Sequence, residues 1–95
     1  MSKNQRDFQP EVAAIVTAMT DAEQPFVRDM IESVLTDPGI GQVVLCIEDQ
    51  NTWIEAVLGD LLSDPRLERL QIPLMPSGAV RNRALQQVRL PWVAY

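Results

Sequence analysis

The stretch Gln42-Val43-Val44-Leu45-Cys46-Ile47-Glu48-Asp49 constrains the fold more than any other part of the chain. Its interior, Val43 to Ile47, is an unbroken apolar run rich in β-branched residues, with no polar position to mark a solvent face. An unalternating run of this kind fits a strand covered on both faces, as in the middle of a parallel sheet. The run stops in two carboxylates, and a polar turn, Gln50-Asn51-Thr52, follows at once. In an open α/β sheet, ligands bind outside the carboxyl ends of the strands. Glu48 and Asp49 therefore stand where binding chemistry is expected. The same pair also suits a plain solvated loop that favours the positive N-terminus of a following helix.

The rest of the chain alternates with that strand. Residues 1–11 are polar and hold Pro10, which marks them as a lead-in. Val12 to Thr17 is a second unalternating apolar run, expected as a first strand, and it exits through Ala18-Met19-Thr20-Asp21. Thr20 and Glu23 have the spacing of a capping box, while Pro25 suits a first helical position; the later start is preferred. Phe26, Val27, Met30, Ile31, Val34 and Leu35 then form one apolar helical stripe, which Asp37-Pro38-Gly39 ends. Thr52 and Glu55 repeat the capping-box spacing. Trp53, Ile54, Val57, Leu58, Leu61 and Leu62 repeat the stripe up to Ser63-Asp64-Pro65. A short third strand is expected over 70–74, weakened by Pro73. A third helix is expected over 79–88, and a last strand begins at Trp92. The order βαβαβαβ predicts an α/β fold: a mostly parallel sheet with helices on both faces, joined by crossovers.

Bulk properties narrow the function. Ninety-five residues bury only about 60–65% of their unfolded surface, so every apolar helix face is needed in one domain over residues 12–95. A net charge of −5 argues against a nucleic-acid partner, which needs clustered Lys and Arg. The absence of histidine removes Ser-His and Cys-His catalysis and the commonest zinc ligand. The single cysteine, Cys46, lies inside the apolar run and reads as a small core residue. No apolar run approaches the roughly 20 residues of a membrane span, and no signal-peptide pattern opens the chain, so the expected location is cytoplasmic. Walker, GxGxxG and CxxC motifs are missing. What remains is a constellation of strand ends: Thr17-Ala18-Met19, Glu48-Asp49, and Arg81-Asn82 at the start of the third helix. A carboxylate accepts from a base N–H and a guanidinium pairs with phosphate, so the set suits a nucleotide. The plainer reading of Arg81 is a solvated helical arginine, and of Met19 a core or rim residue.

The order Val-Ala-Ala-Ile-Val-Thr, Ile31-Glu32-Ser33-Val34-Leu35, Val-Val-Leu-Cys-Ile-Glu-Asp, Gly78-Ala-Val-Arg-Asn-Arg-Ala-Leu85 and the closing Trp-Val-Ala-Tyr resembles family 2 glycosyltransferases. These enzymes invert the anomeric centre of nucleotide-diphosphate sugars on a Rossmann-like, GT-A fold. The resemblance runs from about Val12 to Tyr95 and covers only the nucleotide-binding half. It implies that Thr17 and the backbone of Ala18 meet the base, that Met19 stands at the base-stacking position, and that Asp49, with Glu48 before it, holds a base N–H. It places Arg81 and Asn82 near the diphosphate, with a UDP-sugar first among the donors. Six positions depart from the family pattern: Met19 for an aromatic residue, Thr20 for Asn, Glu48 for the first Asp, Gln50 and Asn51 for Gly-Ser, and Ala84 for Gly.

In the family, the strand that begins like Trp92 to Tyr95 runs into an Asp-x-Asp motif that holds magnesium or manganese on the diphosphate. This chain stops before that motif. The resemblance therefore implies a nucleotide-binding half without metal ligands or catalytic residues of its own, inactive alone, and self-associating through the exposed C-terminal edge of its sheet. A non-catalytic α/β binding or assembly module with the same fold is the alternative reading.

Overall fold

A computed structural model describes residues 10–95, so most of the polar lead-in lies outside the described residues. These residues form an α/β domain around a four-stranded, all-parallel sheet of order β3-β2-β1-β4. The strands are β1 (Val12–Ala18), β2 (Ile40–Glu48), β3 (Leu67–Ile72) and β4 (Trp92–Ala94). The helices are α1 (Gln24–Leu35), α2 (Ile54–Leu58) and α3 (Ser77–Leu85).

The unalternating runs are buried as their composition requires. Val43 to Ile47 are fully buried in β2, between β1 and β3. Alternate residues serve two different cores. Val43, Leu45 and Ile47 join Ala14, Val16 and Ala18 beneath Val27 and Ile31 of α1 and Ile54 and Leu58 of α2. Val44 and Cys46 join Ile15 and Ile72 beneath Val80 and Ala84 of α3. Helices thus cover both faces. Steps from β1 to β2 to β3 run one way with their helices on one face. The step from β3 back past β1 to β4 reverses direction, and right-handed crossovers then put α3 on the other face. Burial pushes the Cys46 thiol above its ordinary value, which suits an inert core residue.

Local chemistry moved several boundaries. At the head of α1 both expected starts are used. Glu23 Oε1 accepts from the Thr20 N–H at 2.9 Å in a 3₁₀ turn, Asp21–Glu23, and the α-helix follows with Pro25 in its first turn. At α2 the expected Thr52–Glu55 box does not form. Trp53 occupies the cap position in helical geometry, and the Glu55 carboxylate instead accepts from Arg69 at 2.9 Å. The second stripe is a true α-helix only to Leu58. Gly59 takes φ 49°, and a 3₁₀ turn, Gly59–Ser63, carries Leu61 and Leu62. Arg28 of α1 donates to the Val57 and Leu58 carbonyls, each at 3.1 Å, and so caps the end of α2 from a neighbouring element.

The third strand begins three residues earlier than expected and stops at Ile72, where Pro73 denies the ladder a donor. The third helix runs over Ser77–Leu85 rather than 79–88, with the chain turning at Gln86 and Gln87. The last strand ends at Ala94. Gly41 is the extra residue of a bulge in β2, because Val12 pairs with Ile40 and Ala13 already with Gln42. A Cβ there would stand 2.9 Å from the Pro10 Cβ and 3.0 Å from Leu90 Cδ1, so the lead-in and the β4 approach both need a glycine.

Three carboxyls are held below their usual range by hydrogen bonds from arginines: Glu68 by Arg89, Asp64 by Arg66 and Glu55 by Arg69. A depressed folded-state value stabilises the fold above the unfolded value of about 4, and that contribution is lost as pH falls below it. Melting temperature should therefore hold from neutral pH to about 5 and fall steeply below about 4. Glu68 is the least exposed of the three, so Glu68→Gln should flatten the acid limb most. An acid limb as steep as the parent's would exclude Glu68 as its main source.

Candidate functional site

The carboxyl ends of β1 and β4 flank the position where winding reverses, the place at which open α/β sheets take ligands. A crevice lies there. A small compartment of about 120 Å³ is lined by Ile15, Thr17, Ser77, Arg81 and Tyr95. A larger one of about 230 Å³ is lined by Thr17, Met19, Thr20, Glu23, Leu74, Met75, Ser77 and Val80. Thr17 and Ser77 line both, so the two read as one crevice between the exit of β1 and α3.

Local structure sets each wall. β1 delivers Thr17 half-buried at its end. The chain beyond is clasped by Glu23, whose Oε1 accepts the Met19 N–H at 2.8 Å and the Thr20 N–H at 2.9 Å. The Thr17 hydroxyl stands 3.5 Å from Glu23 Oε2. On the far side, Pro76 and Ser77 open α3, and Arg81 follows one turn later. Because α3 starts two residues earlier than expected, Arg81 lies in its second turn, past the reach of the positive helix end. Its guanidinium stacks 5.3 Å from the centroid of the Tyr95 ring, a cation–π contact that leaves its N–H edge usable.

Thr17, Met19 and Arg81 of the expected site residues meet in this crevice. The others are placed differently. Ala18 is wholly buried, and its carbonyl accepts from Asn51 Nδ2 at 2.8 Å. The Glu48 carboxylate accepts from the Gln50 N–H, and its carbonyl from the Asn51 N–H at 2.9 Å, so Glu48 holds its own turn. Asp49 is exposed just beyond β2, anchored by its N–H on the Ile72 carbonyl at 2.9 Å. Asn82 is exposed on α3. Neither acid nor Asn82 lines the crevice. Asn51, Ser77 and Tyr95 carry no mark of a site in the sequence. Asn51 has the pattern of turn chemistry, yet it is buried and ties the exit of β2 to the exit of β1. Only the pairing of strands brings it there.

A divalent metal does not fit the residues present. Among the described residues no three Asp, Glu, Cys or His side chains converge. Glu48 and Asp49 are consecutive, so their side chains diverge, and Glu48 is occupied by its own turn. Among the described residues no helix is long and apolar enough to cross a membrane. What the crevice offers is a guanidinium beside two hydroxyls at one end and an apolar wall at the other. Compared with known proteins, the chain matches no family model and no curated protein.

Proposed function

We propose that this domain binds a nucleotide-diphosphate sugar, a UDP-sugar first, as the nucleotide-binding half of a glycosyltransferase resembling family 2. The observation that carries the reading is the meeting of Thr17, Met19 and Arg81 in one crevice at the reversal point of an all-parallel sheet. Arg81, with the Ser77 and Thr17 hydroxyls nearby, suits the diphosphate. A flat base fits the apolar wall of Met19, Met75 and Val80. No chemical step is assigned to the chain, since sugar transfer needs groups beyond those described.

Titration with UDP, GDP and TDP followed by amide NMR tests the reading. Shifts are expected at Thr17, Met19, Ser77, Arg81 and Tyr95. Arg81→Gln should weaken binding by about tenfold or more, the usual effect of losing a charge-assisted hydrogen bond. Adding magnesium should change the affinity little. Shifts confined to another surface, or an unchanged affinity in Arg81→Gln, would remove the assignment.

The second reading, a non-catalytic assembly module, draws support from large apolar side chains left on the surface. Phe26, Trp92 and Tyr95 are each more than 60% exposed. Absence of any nucleotide response would favour it.

A further inference from the structure

β4 ends the sheet among the described residues, and its far side is bare. Parallel ladders use alternate residues. The Trp92 N–H donates to the Glu11 carbonyl at 3.2 Å, so Trp92 and Ala94 turn their backbone groups toward β1. The N–H and C=O of Val93 and Tyr95 therefore face outward. Side chains alternate the other way. Ala94 lies beside Ala14, which belongs to the core under α1, so Ala94 and Trp92 share that face. Val93 packs into the core under α3. Beside Ala94, between β4 and α1, runs an apolar groove of about 290 Å³ whose walls include Met30, Val34 and Ile40. Trp92 is 64% exposed along the same edge.

We propose that the chain forms a symmetric dimer in which two copies of β4 pair antiparallel about a two-fold axis at Val93, each copy seating its Trp92 over Ala94 of the other. Three features select a second copy as the occupant. First, antiparallel pairing centred on Val93 sets Trp92 opposite Ala94, the largest side chain against a small one, and aims the indole at the groove of the facing copy. Second, the ladder closes on itself. Two Val93 residues exchange both bonds, Tyr95 donates to the Pro91 carbonyl, and Pro91, which has no N–H, ends the run. Third, the ends of the edge differ in charge. Glu11 stands beside Trp92 at its amino end and Arg81 beside Tyr95 at its carboxyl end, so antiparallel approach brings unlike ends together and parallel approach does not. The opposite edge of the sheet offers no rival. β3 is lined by Glu68 and Arg69, each paired with a neighbour, and is followed by Pro73, which are devices that blunt strand addition. Pairing of β4 with itself yields a closed assembly, whereas β4 on β3 would propagate.

Sedimentation at micromolar concentration should show a dimer. Val93→Pro removes the outward N–H, at a position where an edge strand accepts proline, and should raise the dimer dissociation constant about tenfold or more, while Val93→Ala, which trims the same side chain from the core under α3 and keeps the N–H, should leave the dimer intact. Ala94→Glu should do the same by occupying the seat of Trp92. Glu11→Arg and Arg81→Glu should each weaken the dimer, and the double reversal should restore it. A parent chain that stays monomeric at about 100 μM, far above the micromolar affinity of a modest interface, overturns the proposal. So does a dimer that survives both Val93→Pro and Ala94→Glu, or a species that grows without limit with concentration.

Discussion

Leu58→Ala is expected to lower the unfolding free energy by about 2–5 kcal/mol. Leu58 is fully buried at the end of α2, in the core that Ile54, Val27 and Ile31 form over Leu45 and Ile47. Truncation removes the transfer free energy of the side chain and leaves a cavity that the rigid sheet beneath cannot close. The loss is a large fraction of the 5–15 kcal/mol or so that a domain of this kind holds. Leu62 of the same apolar stripe is only half-buried, since Gly59 turns the chain before the stripe is complete, so Leu62→Ala should cost clearly less. Urea unfolding of the two variants measures the difference. A loss below about 1 kcal/mol for Leu58→Ala would mean that α2 does not cover the sheet as described.

Gln42→Leu is expected to cost about 2–3 kcal/mol and to loosen β4 before the rest of the sheet. Gln42 is 1% exposed, and its amide works at both ends. Nε2 donates to the Gln87 carbonyl at 2.7 Å and to Glu68 Oε1 at 3.2 Å, while Oε1 accepts the Arg89 N–H at 3.0 Å. Leucine fills similar volume and meets none of these groups. Each backbone group left dry and unpaired costs about 1–3 kcal/mol, offset where water reaches it. The bonds span the connection from α3 to β4, so their loss frees the segment that delivers Trp92 to its place beside Val12. Hydrogen exchange should speed up at Arg89 and over β4 while β2 stays protected. Gln42→Glu should fare no better, because a carboxylate cannot donate to Gln87 and would sit against Glu68. Unchanged stability in Gln42→Leu would show that the amide is replaceable by water.

The sheet was legible because its interior strands are apolar without alternation. Val12 to Thr17 and Val43 to Ile47 have the pattern of strands covered on both faces, and the stripe from Phe26 to Leu35 that of a helix lying on them. Boundaries were less legible where side chains had a choice. Glu55 had the spacing of a capping box and went to Arg69. Glu48 had the position of a ligand acid and went to the Gln50 N–H. In both cases a partner distant in sequence, or a turn geometry, outcompeted the local pattern.

The division for the candidate site follows the same physics. Residue types along one strand or helix are set by solvent and period, which act locally and leave a pattern in the chain. From that pattern alone follow the α/β class, the carboxyl-end placement of Thr17, Asp49 and Arg81, and the exclusion of histidine chemistry. Strand order and register follow from pairing across the sheet, which no local pattern encodes. Only the order β3-β2-β1-β4 puts Thr17 and Met19 in one crevice with Ser77, Arg81 and Tyr95, sets Asp49 outside it, buries Asn51 against Ala18, and, among the described residues, leaves β4 at the edge of the sheet.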